Sequence, residues 1–114
     1  MPTTFACDMT ALTAEQRAAH STVVGQLFGA VRQIRHLGDG YRFVLGLDHG
    51  TLDRIAQFIA LERRCCPFFD FTVTVPAEGD DVALAITGPD GVHSFIQSEF
   101  AASLTETVQF PDVT

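Results

Sequence analysis

The spacing of apolar residues divides the chain into helical and extended segments. Thr13 and Gln16 form a capping-box pattern, and the apolar residues that follow recur at helical spacing. This pattern predicts a helix from residue 14 to about residue 31. The next segment, "RQIRHLGDGYRFVLGL", predicts a β-hairpin, because apolar residues flank a turn at Gly38-Asp39-Gly40 and then alternate with polar or small ones.

The second half of the chain repeats the order of strands and helices. The segment "LDHGTLDRIAQFIALERRCC" predicts a helix that Asp48 or Thr51 caps and that Pro67 ends at Cys66. The strands "FDFTVTV" and "VALAIT" follow, and "GPDGVHSFIQSEFAASL" predicts a third helix. The order α-β-β-α-β-β-α predicts an α+β fold, a four-stranded antiparallel sheet with helices packed on one face. We expect a single domain over residues 1–114, with residues 105–114 as a candidate flexible tail.

The composition of the chain indicates which classes of partner it is unsuited to bind. The 114 residues include 7 Lys and Arg against 14 Asp and Glu, for a formal net charge of −7. This acidic balance disfavours binding to nucleic acids and to anionic membranes. The start "MPTTFACDMT" has neither a basic region nor an apolar run, so we expect no signal peptide and a cytoplasmic location. Cysteines in that compartment are expected to be reduced, which favours metal-binding, reactive or buried thiols over disulfides.

The end of the second predicted helix contains the candidate site. At about 100° per residue, Glu62, Cys65 and Cys66 share one sector at the flank of the buried face. A glutamate in such a position must be hydrogen-bonded, ion-paired, protonated or bound to a metal. Paired thiolates suit soft ions, so the candidates are As(III), Hg(II) and Cu(I), with Zn(II) if further ligands are present.

Other residues could complete this site. Cys7 supplies a third thiol if the N-terminal segment folds back over the second helix. The candidate metal ligands are therefore Cys65, Cys66, Cys7 and Glu62, and we assign no catalytic or cofactor-binding residue. Four histidines are further candidates, although their positions in the sequence favour none of them: His20, His36, His49 and His93.

Three alternatives to metal binding remain open at this point. The cysteines can simply pack in the core, with Glu62 paired to Arg63, Arg64 or a backbone amide. Glu62 can act as a buried acid or base beside a thiol, in a small-molecule-binding or enzymatic module. The open face of the sheet can form a homodimer, in a module that serves interaction only.

Three segments of the chain also resemble blocks of a family of small bacterial proteins. These are "FACDMTALTAEQRAAH", "FIALERRCCPFFDFTV" and "ITGPDGVHSFI". Similar segments occur near or joined to MerR-like metal-responsive regulators and to arsenic or mercury resistance functions. The resemblance implies roles for these residues: Cys7, Asp8, Glu62, Cys65, Cys66 and Pro67. The chain departs from the regulators because it shows no helix-turn-helix pattern, so the resemblance implies a stand-alone sensing or sequestering module.

Overall fold

A computed structural model describes residues 6–111 of the chain. Residues 1–5, half of the N-terminal segment in which we expected no signal peptide, lie outside the described residues. Residues 112–114, the end of the predicted tail, also lie outside them. The described part contains α-helices and β-strands in the order α-β-β-α-β-β-α, as the sequence predicted, with two short 3-10 helices. The bounds are α1 Ala14–Gly29, β1 Val31–Leu37, β2 Gly40–Gly46, α2 Thr51–Cys65, β3 Asp70–Thr74, β4 Asp81–Thr87 and α3 Val92–Phe100, with 3-10 helices at Met9–Ala11 and Ala101–Ser103.

The four strands form one antiparallel sheet in the order β1-β2-β4-β3. In the central pair, Tyr41 lies opposite Ile86 and Phe43 opposite Leu84. Gly40 begins β2, and a Cβ at this position would overlap the backbone of Ile86. These register pairs place alternate side chains on one buried face.

All three helices contact that same buried face of the sheet. Phe28 of α1 packs edge-on against Phe43, with ring centroids 5.1 Å apart. Phe58 of α2 contacts Phe71 at 5.9 Å. Gln97 of α3 donates a hydrogen bond to the hydroxyl of Tyr41. The α+β fold predicted from the sequence, with helices on one face, is thus confirmed.

The prediction for the first helix was correct at its start and wrong at its end. Thr13 caps α1 in a reciprocal capping box with Gln16. The helix ends at Gly29 with Ala30 as its C-cap, and Val31 pairs with Leu45 as the first residue of β1. Val31 continues the helical spacing of the apolar residues before it, so periodicity alone could not separate the last turn from the first strand residue.

The second helix ends where the sequence predicted but begins differently. Its N-cap is Gly50, which makes no side-chain capping bond. The two predicted capping residues instead bond to each other, with the hydroxyl of Thr51 donating to the carboxylate of Asp48 at 2.9 Å. Cys66 is the C-cap, directly before Pro67, whose ring disfavours a helical conformation at the residue before it.

Two further predictions concern the flexible C-terminal tail and a homodimer that forms through the sheet. Val108 and Phe110, in the predicted tail, pack against the core as far as the structure describes that tail. Val73 and Val75 are exposed at the end of the edge strand β3, and a homodimer through the sheet remains a prediction. None of the helices in residues 6–111 has the length and apolarity that crossing a bilayer requires.

Candidate functional site

The end of α2 buries a carboxyl group together with the sulfur atoms of two cysteines. Glu62 is 1% exposed, Cys65 0% and Cys66 1%. The sequence placed these residues at the flank of the buried face, and the structure places all three fully inside. The adjacent Arg63 and Arg64 are exposed, because they occupy the opposite side of the helix.

The N-terminal segment folds back onto this end of α2. The backbone N–H of Asp8 donates to the carbonyl of Cys65 at 2.7 Å. The carboxylate of Asp8 then caps the short helix that follows by accepting from the backbone of Thr10 at 3.0 Å. This anchoring brings Cys7 to Cys66, so the predicted third thiol does reach the pair on α2.

Cys7 and Cys66 form a disulfide across a sequence separation of 59 residues, and Cys65 is the free cysteine. The expectation that the cysteines are reduced is therefore corrected for two of the three. That expectation came from the predicted compartment, whereas the pairing follows from the fold, which brings the Cα atoms of Cys7 and Cys66 to 4.6 Å. This separation lies within the range that a disulfide can bridge.

A histidine from α1 satisfies the buried carboxylate. Nε2 of His20 lies 2.6 Å from Oε2 of Glu62, and the imidazole side chain is 14% exposed. The alternative in which Glu62 pairs with Arg63 or Arg64 is therefore wrong. This contact is short for a charge-assisted hydrogen bond and supplies the partner that a buried carboxylate requires.

The surroundings of Cys65 hold its thiol in the protonated form. Burial, followed by the negative charge of Glu62, raises the pKa of Cys65 to about 11. The Sγ atom lies 3.8 Å from the backbone carbonyl of Glu62, to which the thiol donates, and 3.7 Å from Sγ of Cys66. Cys65 therefore lacks the positive surroundings that activate a nucleophilic cysteine.

A second carboxyl group borders the cluster. Glu99 of α3 remains exposed on its outer side. Loss of surrounding water and then the negative charge of Glu62 raise the pKa of Glu99, while His20 lowers it. Two carboxyl groups, those of Glu62 and Glu99, therefore interact with the imidazole of His20.

Cys65 belongs to two sets of potential ligands. The sulfurs of Cys7, Cys65 and Cys66 all lie within 4.8 Å of one another, and so do the ligand atoms of His20, Glu62 and Cys65. One set is all sulfur and the other mixes nitrogen, oxygen and sulfur. We call these five residues the cysteine cluster.

The structure selects one histidine from the four candidates. His20 joins the cluster, whereas His36 and His93 stack on each other elsewhere and His49 is exposed. The sequence contained a signal for His20, because it precedes the buried Val23 and Leu27 at helical spacing on α1. A polar residue on that buried stripe predicts a buried partner.

No protein-family model, no curated protein and no solved structure matches this chain. The resemblance to proteins associated with metal resistance therefore stays a prediction.

Proposed function

We propose that the protein, with the Cys7–Cys66 disulfide reduced, binds a soft metal or metalloid ion through Cys7, Cys65 and Cys66. The observation that carries this proposal is the approach of all three sulfur atoms to within 4.8 Å of one another. Thiolates are the ligands that soft ions prefer. Reduction of the disulfide would release three thiolates in this part of the fold, a donor set that suits As(III) and Hg(II), and Cu(I) fits the same donors.

Burial of the site supports a tightly held ion. Cys65 and Cys66 are buried and Cys7 is partly buried. An ion that enters the site therefore exchanges its water ligands for sulfur ligands. A bound cation would also offset the buried negative charge of Glu62. We assign His20 and Glu62 to the surroundings of the ion, with the imidazole fixing the orientation of the carboxylate.

Zn(II) fits this arrangement less well than the softer ions. A closed structural zinc site uses four ligands in tetrahedral geometry, and the thiols supply three. The fourth would have to be His20 or Glu62, which already satisfy each other at 2.6 Å. We therefore expect Zn(II) to bind more weakly than As(III) or Hg(II) in competition with small thiols.

The oxidation state of the cysteines controls this function. In the disulfide form two of the three sulfurs are bonded to each other and are poor ligands. Reduction releases both as thiols beside Cys65. The protein therefore acts as a sensor or store for soft ions only where a reductant keeps the pair open.

Native mass spectrometry of the reduced protein tests the proposal. The protein is challenged in turn with As(III), Hg(II), Cu(I) and Zn(II) against excess glutathione. We expect a one-to-one adduct with a soft ion, lost on Cys7→Ser, Cys65→Ser or Cys66→Ser and retained in Met9→Leu, which removes a nearby sulfur from outside the cluster. An adduct that no cysteine substitution removes, or none that survives glutathione, contradicts the proposal.

The contact between His20 and Glu62 favours a second candidate, an enzyme with an acid–base pair beside a thiol. A histidine held 2.6 Å from a buried carboxylate is an arrangement that general acid–base catalysis uses. The protonated state of Cys65 weighs against a nucleophilic role for the thiol. Rapid alkylation of reduced protein at neutral pH in the absence of metal would favour this candidate over ion binding.

A further inference from the structure

A second site lies outside the cysteine cluster, in a cavity beside the β1–β2 turn. Its volume is about 480 Å³, within the range of small-molecule sites. It is bordered by the hairpin, by α3 and by the C-terminal segment, and shares no residue with the cysteine cluster. The lining residues are His36, Gly38, Tyr41, His93, Gln97, Phe110 and Pro111, and we call this space the histidine cavity.

Stacked and edge-on rings form the walls of the histidine cavity. The rings of His36 and His93 stack with centroids 4.7 Å apart and planes 14° from parallel. Tyr41 meets His93 edge-on at 5.2 Å, and Phe110 meets Tyr41 edge-on at 4.8 Å. Flat aromatic walls of this kind favour a flat aromatic ligand, which can continue the stack or meet a ring edge.

The polar groups of the cavity retain hydrogen-bonding capacity. Gln97 Nε2 donates one hydrogen to the hydroxyl of the fully buried Tyr41 at 2.7 Å. Because Gln97 is exposed, its second amide hydrogen is able to donate to a ligand. Nε2 of His93 donates to the carbonyl of Leu37 at 2.7 Å, so this ring is fixed in orientation. Within residues 6–111 the imidazole of His36 makes no hydrogen bond, although it stacks on His93.

The described lining of the cavity contains no acidic side chain, in a chain whose net charge is −7. Its lining contains two imidazoles, a phenol and an amide, and no carboxylate among the described residues. Two acidic residues adjoin the lining in sequence: Asp39, in the turn after Gly38, is exposed, and Asp112, after Pro111, lies outside the described residues. Donors without competing carboxylates favour a ligand that accepts hydrogen bonds and carries negative charge.

From these features we propose that the histidine cavity binds a small planar aromatic carboxylate. The ring lies against the imidazole and phenyl walls, and the carboxylate accepts from the side-chain amide of Gln97 and from His36. The bond from Gln97 to the buried phenol of Tyr41 orients the amide for this contact, and the bond from His93 to Leu37 holds the stacked histidines in place.

Three probes of similar size test the class of ligand by NMR titration of the full-length protein. Benzoate carries the ring and the charge, benzamide retains the ring without the charge, and cyclohexanecarboxylate retains the charge without the aromatic ring. We expect benzoate to cause saturable shifts at the amides of Gly38, His93 and Gln97. Each of the other probes should bind at least about tenfold more weakly, because each loses one class of contact.

Single substitutions test the residues. Gln97→Leu and His36→Leu should each lower benzoate affinity about tenfold, the loss expected for one hydrogen bond to a charged group. His49→Leu, which changes an exposed histidine outside the cavity, should leave the affinity unchanged. His36 and Gln97 are both exposed, so neither substitution removes a core side chain.

The proposal is overturned by any of three results. These are no saturable shift at the cavity residues with benzoate, equal affinities for benzoate and benzamide, or unchanged benzoate affinity in both variants. Cys65→Ser should leave benzoate binding intact, so this proposal stands or fails separately from soft-ion binding.

Discussion

The cysteine cluster and the histidine cavity are two polar sites built in opposite ways. In the cluster, Glu62 and Cys65 are fully buried and already bonded to protein partners. In the cavity, His36 is exposed and its imidazole makes no hydrogen bond in the described part of the chain. The cluster is therefore suited to an ion that fits between existing sulfur atoms, whereas the cavity has room for a molecule.

The two sites also differ in what holds them together. A disulfide and a backbone hydrogen bond from Asp8 close the cluster. Ring packing and two hydrogen bonds, from Gln97 and His93, order the cavity. A change of redox state should act on the first site and leave the second unaffected, and this difference frames the predictions that follow.

The largest expected effect is on ion binding. Cys66→Ser in the reduced protein should weaken soft-ion binding by more than about 100-fold. Losing a residue that binds the ion directly costs more affinity than losing a residue that only orients a ligand. Competition with glutathione, followed by native mass spectrometry, measures this. Benzoate binding in the histidine cavity serves as the internal control for folding. Equal ion affinity in the variant and the parent would place the site elsewhere.

Reduction of the disulfide should lower the free energy of unfolding by about 4 kcal/mol, because closing a loop of 59 residues restricts the unfolded chain. Urea unfolding with and without reductant measures this difference, and Cys7→Ala serves as the permanently open control. Hydrogen exchange should show the loss of protection first at the N-terminal segment. Equal stability of the two forms would mean that the Cys7–Cys66 bond constrains the chain little.

His20→Ala should destabilise the protein by about 3 kcal/mol, because it leaves the carboxylate of Glu62 buried without its partner. Thermal or urea unfolding measures the change. The double variant His20→Ala with Glu62→Leu removes the unpaired charge and should recover much of the loss. No difference between the single and double variants would show that the contact between His20 and Glu62 contributes little to stability.

The smallest of these effects concerns the pH dependence of one thiol. With a pKa of about 11, Cys65 is protonated at neutral pH. As long as the pH stays below this pKa, each increase of one pH unit should raise the thiolate fraction about tenfold. Alkylation by iodoacetamide in the unreduced protein, where Cys65 is the free cysteine, follows this fraction. Cys65→Ser is the blank. Fast alkylation at pH 7 would contradict the assignment and favour an activated cysteine.

Local patterns in the sequence were enough to predict the fold and part of the cysteine cluster. The capping box at Thr13, the alternation in the strands and the proline after Cys66 act over a few residues, so their effect can be predicted from neighbours alone. The placement of Glu62, Cys65 and Cys66 on one buried sector followed from the same short-range geometry, because a helix fixes which side chains share a face.

The tertiary structure alone decided the partners of those residues. His20 and Glu62 are 42 residues apart and Cys7 and Cys66 are 59 apart. The histidine cavity likewise combines a hairpin turn, a helix and the C-terminal segment, whose residues show no pattern when read along the chain. Contacts between distant segments depend on how the elements pack, and no local rule encodes that packing. The sequence by itself thus determined which residues are buried at the end of α2, and the packing of α1 and the N-terminal segment determined what those residues bond to.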